Sequence, residues 1–249
     1  MRMRGNTILI TGGGSGIGRE LARAFHAEGN EVVVAGRGIE ALNETVGGRA
    51  RMHAAVLDVD DPADIEAFAT RLAAEHPGVN VLINNAGIMR QEDLASGGSL
   101  ADAEAMITTN LLGPIRLLHA LLPRLMGSPG ATVINVSSGL AFVPLIRTPT
   151  YNATKAAIHS YTLSLREQMR EAGVEVLEVI PPAVQTELTP GQSGNPGYMP
   201  LEDFIEETME VFRSQPTPSE IAVARLAFLR RAEAEGRFDQ TFAMLNQAR

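Results

Sequence analysis

Two side chains four residues apart, Tyr151 and Lys155, could together transfer a proton. The residues around them have the pattern of the first turns of a helix, and positions i and i+4 of a helix share one face. A phenol with its ordinary pKa near ~10 is a poor acid or base at neutral pH, but a neighbouring ammonium group favours the phenolate and lowers that pKa. The pair therefore predicts a tyrosine that acts as a general acid or base.

Composition favours a function for this lysine. Lys155 is the only lysine among the 21 Lys and Arg residues of the chain. Arginine is a broad fork that stays charged, whereas lysine is a compact point charge on a slim stem. A tyrosine and a lysine at this spacing also occur by chance on solvated helices, so the motifs elsewhere in the chain decide between the two interpretations.

A glycine-rich turn follows the first predicted strand, residues 7–10, and leads into a helical pattern. Its glycines are Gly12, Gly16 and Gly18, a spacing that differs from G-x-G-x-x-G. A strand, a glycine turn and a helix in this order place backbone N–H groups and a helix N-terminus where they can bind a phosphate. A loose surface loop is the alternative, and the flanking strand and helix disfavour it.

The second predicted strand, residues 31–35, ends beside Arg37. In a dinucleotide-binding sheet this strand end reaches the adenosine ribose, where an acid would bind the 2′-hydroxyl and repel a 2′-phosphate. Here the acid is missing, and an arginine could bind a 2′-phosphate through two parallel hydrogen bonds. The sequence predicts a preference for NADP(H) over NAD(H), with a plain surface charge as the alternative role of Arg37.

Further apolar strands are predicted at residues 52–57, 79–83, 132–136 and 174–180. Strands and helices alternate without a long linker, which predicts a single domain, residues 1–249, of the α/β class. We expect a Rossmann-type doubly wound parallel sheet of six strands, or seven, with helices on both faces. Ligands bind such sheets at the carboxyl ends of the strands.

Polar residues stand at those strand ends and within one helix. Asp58 follows the third strand and would contact adenine or only form a turn, and the stretch 84–87 follows the fourth strand. Asn110 lies inside a long helical pattern that opens at Ser99. An amide has poor helix propensity, so Asn110 is either a hydrogen-bonding hub or a part of the site.

The chain beyond the sixth strand is rich in Gly and Pro at residues 190–200. We expect the segment 187–215 to be a mobile substrate lid, with a linker as the alternative for its Gly- and Pro-rich part. Helices are predicted at 201–214 and 218–235, and the last residues, 237–249, are expected to be helical or irregular.

Composition excludes several classes of protein. The chain has 45% apolar residues, no cysteine and a net charge of −8, so it predicts no disulfides and no nucleic-acid partner. The five histidines show no metal-ligand spacing, and we expect no metal site. The most apolar stretch, residues 111–126, is interrupted by two prolines and three basic or imidazole side chains and predicts no membrane span. The lack of cysteine fits a reducing compartment, and we expect a cytoplasmic protein.

Together these motifs resemble the short-chain dehydrogenase/reductase family in its compact single-domain form. The resemblance covers roughly positions 5–190 and rests on Thr11-Gly12, Gly16-Ile17-Gly18, Asn84-Asn85-Ala86-Gly87, Asn110, Ser138, Tyr151 and Lys155. The family's serine lies thirteen positions before its tyrosine, which selects Ser138 over Ser137. The stretches 84–90 and 181–188 also resemble the DltE-like branch of bacterial oxidoreductases.

The resemblance implies an NADPH-dependent carbonyl reductase or alcohol dehydrogenase with a small-molecule substrate. Tyr151 would exchange a proton with the substrate oxygen, Ser138 would hold that oxygen, and Lys155 would lower the tyrosine pKa and bind the nicotinamide ribose. Asn110 would support a water that relays protons. Besides Arg37, the implied cofactor contacts are Gly12, Ser15, Gly16, Ile17, Gly18, Asp58, Val59, Asn85, Ala86, Gly87, Tyr151, Lys155, Pro181, Val184 and Thr186.

The chain departs from the family pattern at two places. The family commonly has Pro-Gly where this chain has Pro181-Pro182, and a second proline removes an amide donor. The Thr-Gly and Asp-Gly-Gly signatures of the family's seventh strand, which builds one contact of a tetramer, do not follow Glu235. The resemblance then implies a homodimer through the Asn110 and Tyr151 helices.

Two other functions are alternatives to this enzyme activity. A catalytically silent NADP(H)-binding regulatory protein on the same fold is the alternative, which the intact serine, tyrosine and lysine disfavour. An epimerase or dehydratase of the longer relatives needs a C-terminal substrate domain, and too few residues remain after position 190. In the segments that would shape the substrate pocket, Arg90 and Arg147 could meet an acidic substrate or could be solvated.

Overall fold

One parallel sheet of seven strands crosses the molecule in the order β3-β2-β1-β4-β5-β6-β7. The structure, a computed structural model, describes residues 1–247. The strands are β1 (Thr7–Thr11), β2 (Glu31–Gly36), β3 (Met52–Val56), β4 (Val79–Asn84), β5 (Thr132–Val136), β6 (Glu175–Val179) and β7 (Glu220–Ile221). The strand order reverses between β1 and β4, and such a switch point opens a crevice at the carboxyl ends of the strands. The predicted doubly wound sheet is confirmed, and it includes the seventh strand.

Helices connect these strands in the described residues. They are α1 (Gly16–Ala27), α2 (Ile39–Val46), α3 (Pro62–Glu75), α4 (Leu100–Ile107), α5 (Gly113–Leu125), α6 (Pro149–Met169), α7 (Leu201–Arg213), α8 (Ala227–Arg230) and α9 (Phe238–Gln247). Side chains fix some of their starts. The Asp61 carboxylate accepts a hydrogen bond from the Ala63 N–H at 2.8 Å, with Pro62 in the first turn. Such a cap and a leading proline favour a helix start here, as the sequence predicted.

Alternate strand residues enter two hydrophobic cores, one on each face of the sheet. Leu9, Leu82 and Val133 pack with α3, α5 and α6. Ile8 and Ile83 face the opposite side and pack with α1 and α7. This alternation with apolar residues on both faces is typical of parallel strands covered by helices on both sides.

The segment from α4 to α5 is one helical run, Leu100–Leu125, of 26 residues. It is long and apolar enough by composition to cross a membrane, a property it shares with helices that pack in a protein core. Here Leu117, Leu118, Leu121 and Leu125 are buried in the core beside α3. A π-helical turn, Thr108–Leu112, interrupts the run and carries Asn110.

The predicted helix at residues 218–235 is wrong. The structure has the short strand β7 at its start, followed by the four-residue helix α8 and turns. Glu220 and Ile221 pair with Glu178 and Val179 of β6. The Ala-, Arg- and Glu-rich composition favours a helix, but pairing with the sheet edge overrides that propensity, and a two-residue strand is too short to show a period.

Candidate active site

Two adjoining cavities lie at the carboxyl ends of the central strands. The larger has a volume of about 520 Å³, the smaller about 270 Å³, and Gly12, Ser15 and Gly87 line both. Predicted residues that line the larger cavity are Gly12, Ser15, Gly16, Ile17, Gly18, Asn85, Ala86, Gly87, Ser138, Tyr151, Lys155, Pro181, Val184 and Thr186. Arg37, Asp58 and Val59 line the smaller one. The fold therefore gathers every predicted site residue except Asn110 around one continuous crevice.

The glycine turn requires its glycines for steric reasons. A Cβ on Gly18 would lie 2.3 Å from the Gly12 carbonyl oxygen and 2.4 Å from Asn85 Nδ2. Asn85 Nδ2 donates to the Thr11 carbonyl at 2.9 Å and thereby ties the turn to the end of β4. The Ser15 side chain makes no capping hydrogen bond to α1. The N–H groups at the start of α1 are therefore available to bind a phosphate. The pyrophosphate of a dinucleotide fits this turn.

Tyr151 and Lys155 lie on one face of α6, and their side chains are buried, with relative exposures of 6% and 5%. Lys155 Nζ donates to the carbonyl of Val136, the last residue of β5, at 2.9 Å and lies 5.6 Å from the centre of the Tyr151 ring. Ser138 stands two residues beyond that strand end, and its Oγ accepts a hydrogen bond from the Leu140 N–H at 3.1 Å. One strand end and one helix face thus bring the serine, tyrosine and lysine to the same cavity.

The ionisation of this pair differs from the expectation. Burial raises the pKa of Tyr151 to about 12, and the Ser138 hydroxyl opposes that rise. Burial lowers the pKa of Lys155 to about 8, and the Glu178 carboxylate opposes that fall. The prediction that the lysine brings the tyrosine pKa down is wrong for this structure, because loss of water around the phenolate outweighs the stabilisation by its neighbours. Tyr151 is therefore protonated at neutral pH.

Asn110 is a hydrogen-bonding hub that lines neither cavity. Its Oδ1 accepts from the Ile88 N–H at 2.8 Å, and its Nδ2 donates to the Ile88 carbonyl at 2.9 Å and to Thr154 Oγ1 at 3.2 Å. It stands behind Gly87, where an added Cβ would lie 3.3 Å from Asn110 Oδ1 and 3.6 Å from Lys155 Nζ. The hub interpretation fits these contacts, because Asn110 holds the loop after β4 against α6.

Arg37 lies at the mouth of the smaller cavity with 65% of its side chain exposed. Its Nη1 is 3.7 Å from Asp60 Oδ2, and Asp60 Oδ1 accepts a hydrogen bond from the Thr109 hydroxyl at 2.7 Å. An exposed ion pair at this distance contributes little, so the guanidinium can exchange Asp60 for a phosphate. Asp60 is an acid near the ribose end that the sequence analysis did not identify.

The larger cavity is also lined by residues from the C-terminal end, which the sequence analysis missed. Leu229 and Leu245 line it beside Arg147. Asn246 on α9 donates from Nδ2 to the Pro144 carbonyl at 3.1 Å and accepts from the Ile146 N–H at 2.8 Å. These contacts fasten α9 to the loop that carries Arg147. No local sequence pattern could predict these contacts, because they join segments about a hundred residues apart.

The segment expected to form a lid, residues 187–215, covers the neighbouring side of this cavity. Gln192 Nε2 donates to the Val184 carbonyl at 2.8 Å and to Thr186 Oγ1 at 3.1 Å. The Met199 N–H donates to the Ala183 carbonyl at 2.9 Å. The segment is thus tethered to the loop after β6 that the resemblance assigns to the cofactor.

A family model described as short chain dehydrogenase matches residues 6–195. The chain belongs to the short-chain dehydrogenase/reductase family. Its members are NAD(P)-dependent oxidoreductases, and the seven-stranded parallel sheet described above is the fold of its solved structural neighbours.

Individual relatives agree with this assignment. The chain is 38% identical over 250 residues to the uncharacterized oxidoreductase DltE of Bacillus subtilis, covering 99% of this chain and 98% of that protein. It is 36% identical over 191 residues to sulfoacetaldehyde reductase 2 of Chromohalobacter salexigens, covering 75% and 76% of the two chains. A crystal structure of a short chain dehydrogenase from Burkholderia cenocepacia in complex with NADP superposes with a TM-score of 0.85 at 25% identity, covering 98% and 99%. The resemblance to the DltE-like branch is confirmed.

Proposed function

We propose that this short-chain dehydrogenase interconverts a carbonyl and a secondary alcohol with NADP(H). The observation that carries the proposal is the single crevice in which Ser138, Tyr151 and Lys155 adjoin the glycine turn and Arg37. When bound, the nicotinamide supplies or accepts the hydride. Tyr151 gives the proton to the substrate oxygen, Ser138 orients that oxygen, and Lys155 binds the ribose hydroxyls.

The ionisation of Tyr151 fits the role of proton donor in carbonyl reduction. A phenol whose pKa is about 12 holds its proton at neutral pH and can donate it to the carbonyl oxygen as the hydride arrives. NADPH consumption against a panel of carbonyls tests the proposal. Cofactor binding without turnover of any carbonyl would favour the alternative, a catalytically silent regulatory protein.

The substrate we propose carries an anionic group that meets Arg147. Of the two candidate arginines, Arg90 is paired with the Asp102 carboxylate, whereas Arg147 lines the cavity and contacts no carboxylate within 4 Å among residues 1–247. The one acid nearby in the cavity lining, Glu187, accepts hydrogen bonds from the Ser193 hydroxyl and the Gly191 N–H. The similar protein of Chromohalobacter salexigens is a sulfoacetaldehyde reductase, whose name specifies a sulfonate-bearing aldehyde.

Arg147→Ala should raise KM for carboxylate- or sulfonate-bearing aldehydes by about tenfold or more, because a charge-assisted hydrogen bond is lost. We expect kcat, and KM for neutral aldehydes of similar size, to stay within about twofold. Steady-state kinetics on both substrate classes measure the effect, with Arg90→Ala as the matched control. Equal losses on charged and neutral substrates would contradict an anion-binding role.

Exposed apolar side chains on the outer faces of α4 to α6 support a homodimer. Ile107, Leu112 and Leu163 are 41%, 36% and 46% exposed, in the helices that carry Asn110 and Tyr151. A dimer through this surface predicts, by light scattering, twice the chain mass of 26.6 kDa. Leu163→Arg should shift the protein toward the monomer, whereas a tetramer mass would refute the proposed assembly.

A further inference from the structure

A row of polar side chains crosses the sheet on the face that α6 covers. The strand register aligns Asn84 of β4 with Asn135 of β5, then Glu178 of β6, then Glu220 of β7. Other residues on this face of the same strands, such as Val133, are apolar and fully buried. The row therefore places the Glu178 carboxylate inside a hydrophobic core, whereas Glu220 is 26% exposed at the edge of the sheet.

Glu178 is the most deeply buried acid of this row, with no exposed surface. His159 Nδ1 lies 2.9 and 3.0 Å from its two carboxylate oxygens. The ring of Phe142, from the turn after Ser138, packs edge-on against His159 at 4.8 Å between ring centres. A buried carboxylate is costly unless it is hydrogen-bonded or paired, so this contact fixes both the position of Glu178 and its environment.

Glu178 lies next to the two elements that hold Lys155, the end of β5 and the helix α6. His159 is one helical turn after Lys155, on the same face of α6. The carbonyl that holds Lys155 Nζ belongs to Val136, whose partner in the sheet register is Val179, the residue after Glu178. Adjacent strands are about 5 Å apart. Both side chains are buried, so the attraction between their charges is stronger than it would be at the surface.

We propose that Glu178, fixed by His159, is a positioning residue that keeps the buried Lys155 ammonium charged. The proposal rests on the proposed function only in that a charged Lys155 is what binds the cofactor ribose. Glu178 acts through Lys155 and lines neither of the two cavities.

The ionisation of Lys155 is consistent with this role. Burial lowers its pKa to about 8, and the attraction of Glu178 works against that fall. Without the carboxylate, the ammonium would lose its proton at a lower pH. The other titratable or charged side chains on the elements packed around this region are Tyr151 and Arg166 on α6, Glu220 on β7 and Arg230 on α8. Glu220 is held by Arg230 through two hydrogen bonds of 2.8 and 2.9 Å, which balance its charge.

The sole lysine of the chain makes the test direct. Protein grown with lysine labelled with carbon-13 at Cε gives one lysine side-chain NMR signal, whose titration reports Lys155 without cofactor or substrate. We expect a midpoint near 8 in the wild type. In Glu178→Gln, which keeps the size of the side chain, the midpoint should fall by about one pH unit. Glu175→Gln, a carboxylate at the opposite end of the same strand, should leave it unchanged.

The same shift should appear in function. Fluorescence titration of NADPH should show affinity falling as pH rises through the Lys155 midpoint, and in Glu178→Gln this fall should begin about one pH unit lower. An unchanged NMR midpoint in folded Glu178→Gln would overturn the proposal. If that variant does not fold, Glu178→Asp moves the carboxylate back by one methylene and should lower the Lys155 midpoint by a smaller amount. An unchanged midpoint in Glu178→Asp would also overturn the proposal. A shifted midpoint without any carbonyl turnover would keep this inference and reject the proposed reaction.

Discussion

Tyr151→Phe should lower kcat for carbonyl reduction by about 10²- to 10⁴-fold, the range that a positioned general acid supplies. The ring stays and the hydroxyl goes, so packing within the buried site changes little. Because Lys155 is held by the Val136 carbonyl, the binding of NADPH should stay within about twofold of the wild type. Initial rates of NADPH consumption and fluorescence titration of NADPH measure the two effects separately.

The control for this variant lies on the same helix. Tyr161→Phe removes a phenol that lines neither cavity, and its activity should match the wild type. A Tyr151→Phe protein that keeps its full activity would remove the proton donor from the proposed reaction. Loss of NADPH binding together with activity would show instead that the hydroxyl holds the cofactor.

Arg37→Asp should lower the ratio of kcat/KM with NADPH to kcat/KM with NADH by about 10²-fold or more. One charge-assisted contact is worth about 1.5–3 kcal/mol, or roughly ten- to hundredfold. The new carboxylate then repels the 2′-phosphate, and Asp60, which Arg37 faces at 3.7 Å in the wild type, adds a second negative charge beside it. Kinetics with both cofactors at fixed ionic strength measure the ratio.

A matched charge reversal separates this contact from the overall charge of the protein. Arg170→Asp, in the exposed turn after α6, changes the net charge equally and should leave the cofactor ratio unchanged. A wild-type enzyme with a clear preference for NADH, or an Arg37→Asp enzyme with the wild-type ratio, would contradict the role given to Arg37.

Burial shifts the pKa values of Tyr151 and Lys155 in opposite directions. It favours the protonated form of Tyr151, because the phenolate is poorly solvated. It also favours the neutral amine of Lys155, because the buried ammonium is poorly solvated as well. A buried carboxylate such as Glu178 can support the second group without contacting the first, which is the division of roles that the proposed experiment tests.

Short-range patterns were enough to predict the sheet and the crevice. The apolar strands, the glycine turn and the helix face shared by Tyr151 and Lys155 each follow from neighbours a few residues away. Because parallel strands all end at one edge of the sheet, residues such as Arg37 and Ser138 could be expected to meet there. The structure brings them together around one crevice.

Contacts between distant segments decided the rest. β7 forms where a helix was expected, because β6 offers it a partner. His53 and His76, which showed no ligand spacing, lie 3.4 and 3.2 Å from one Glu31 oxygen. His159 meets Glu178 across 19 residues, and Tyr151 has a raised rather than a lowered pKa. Solvation of a side chain is the sum over everything that packs around it, and a local pattern shows only the part contributed by its own segment.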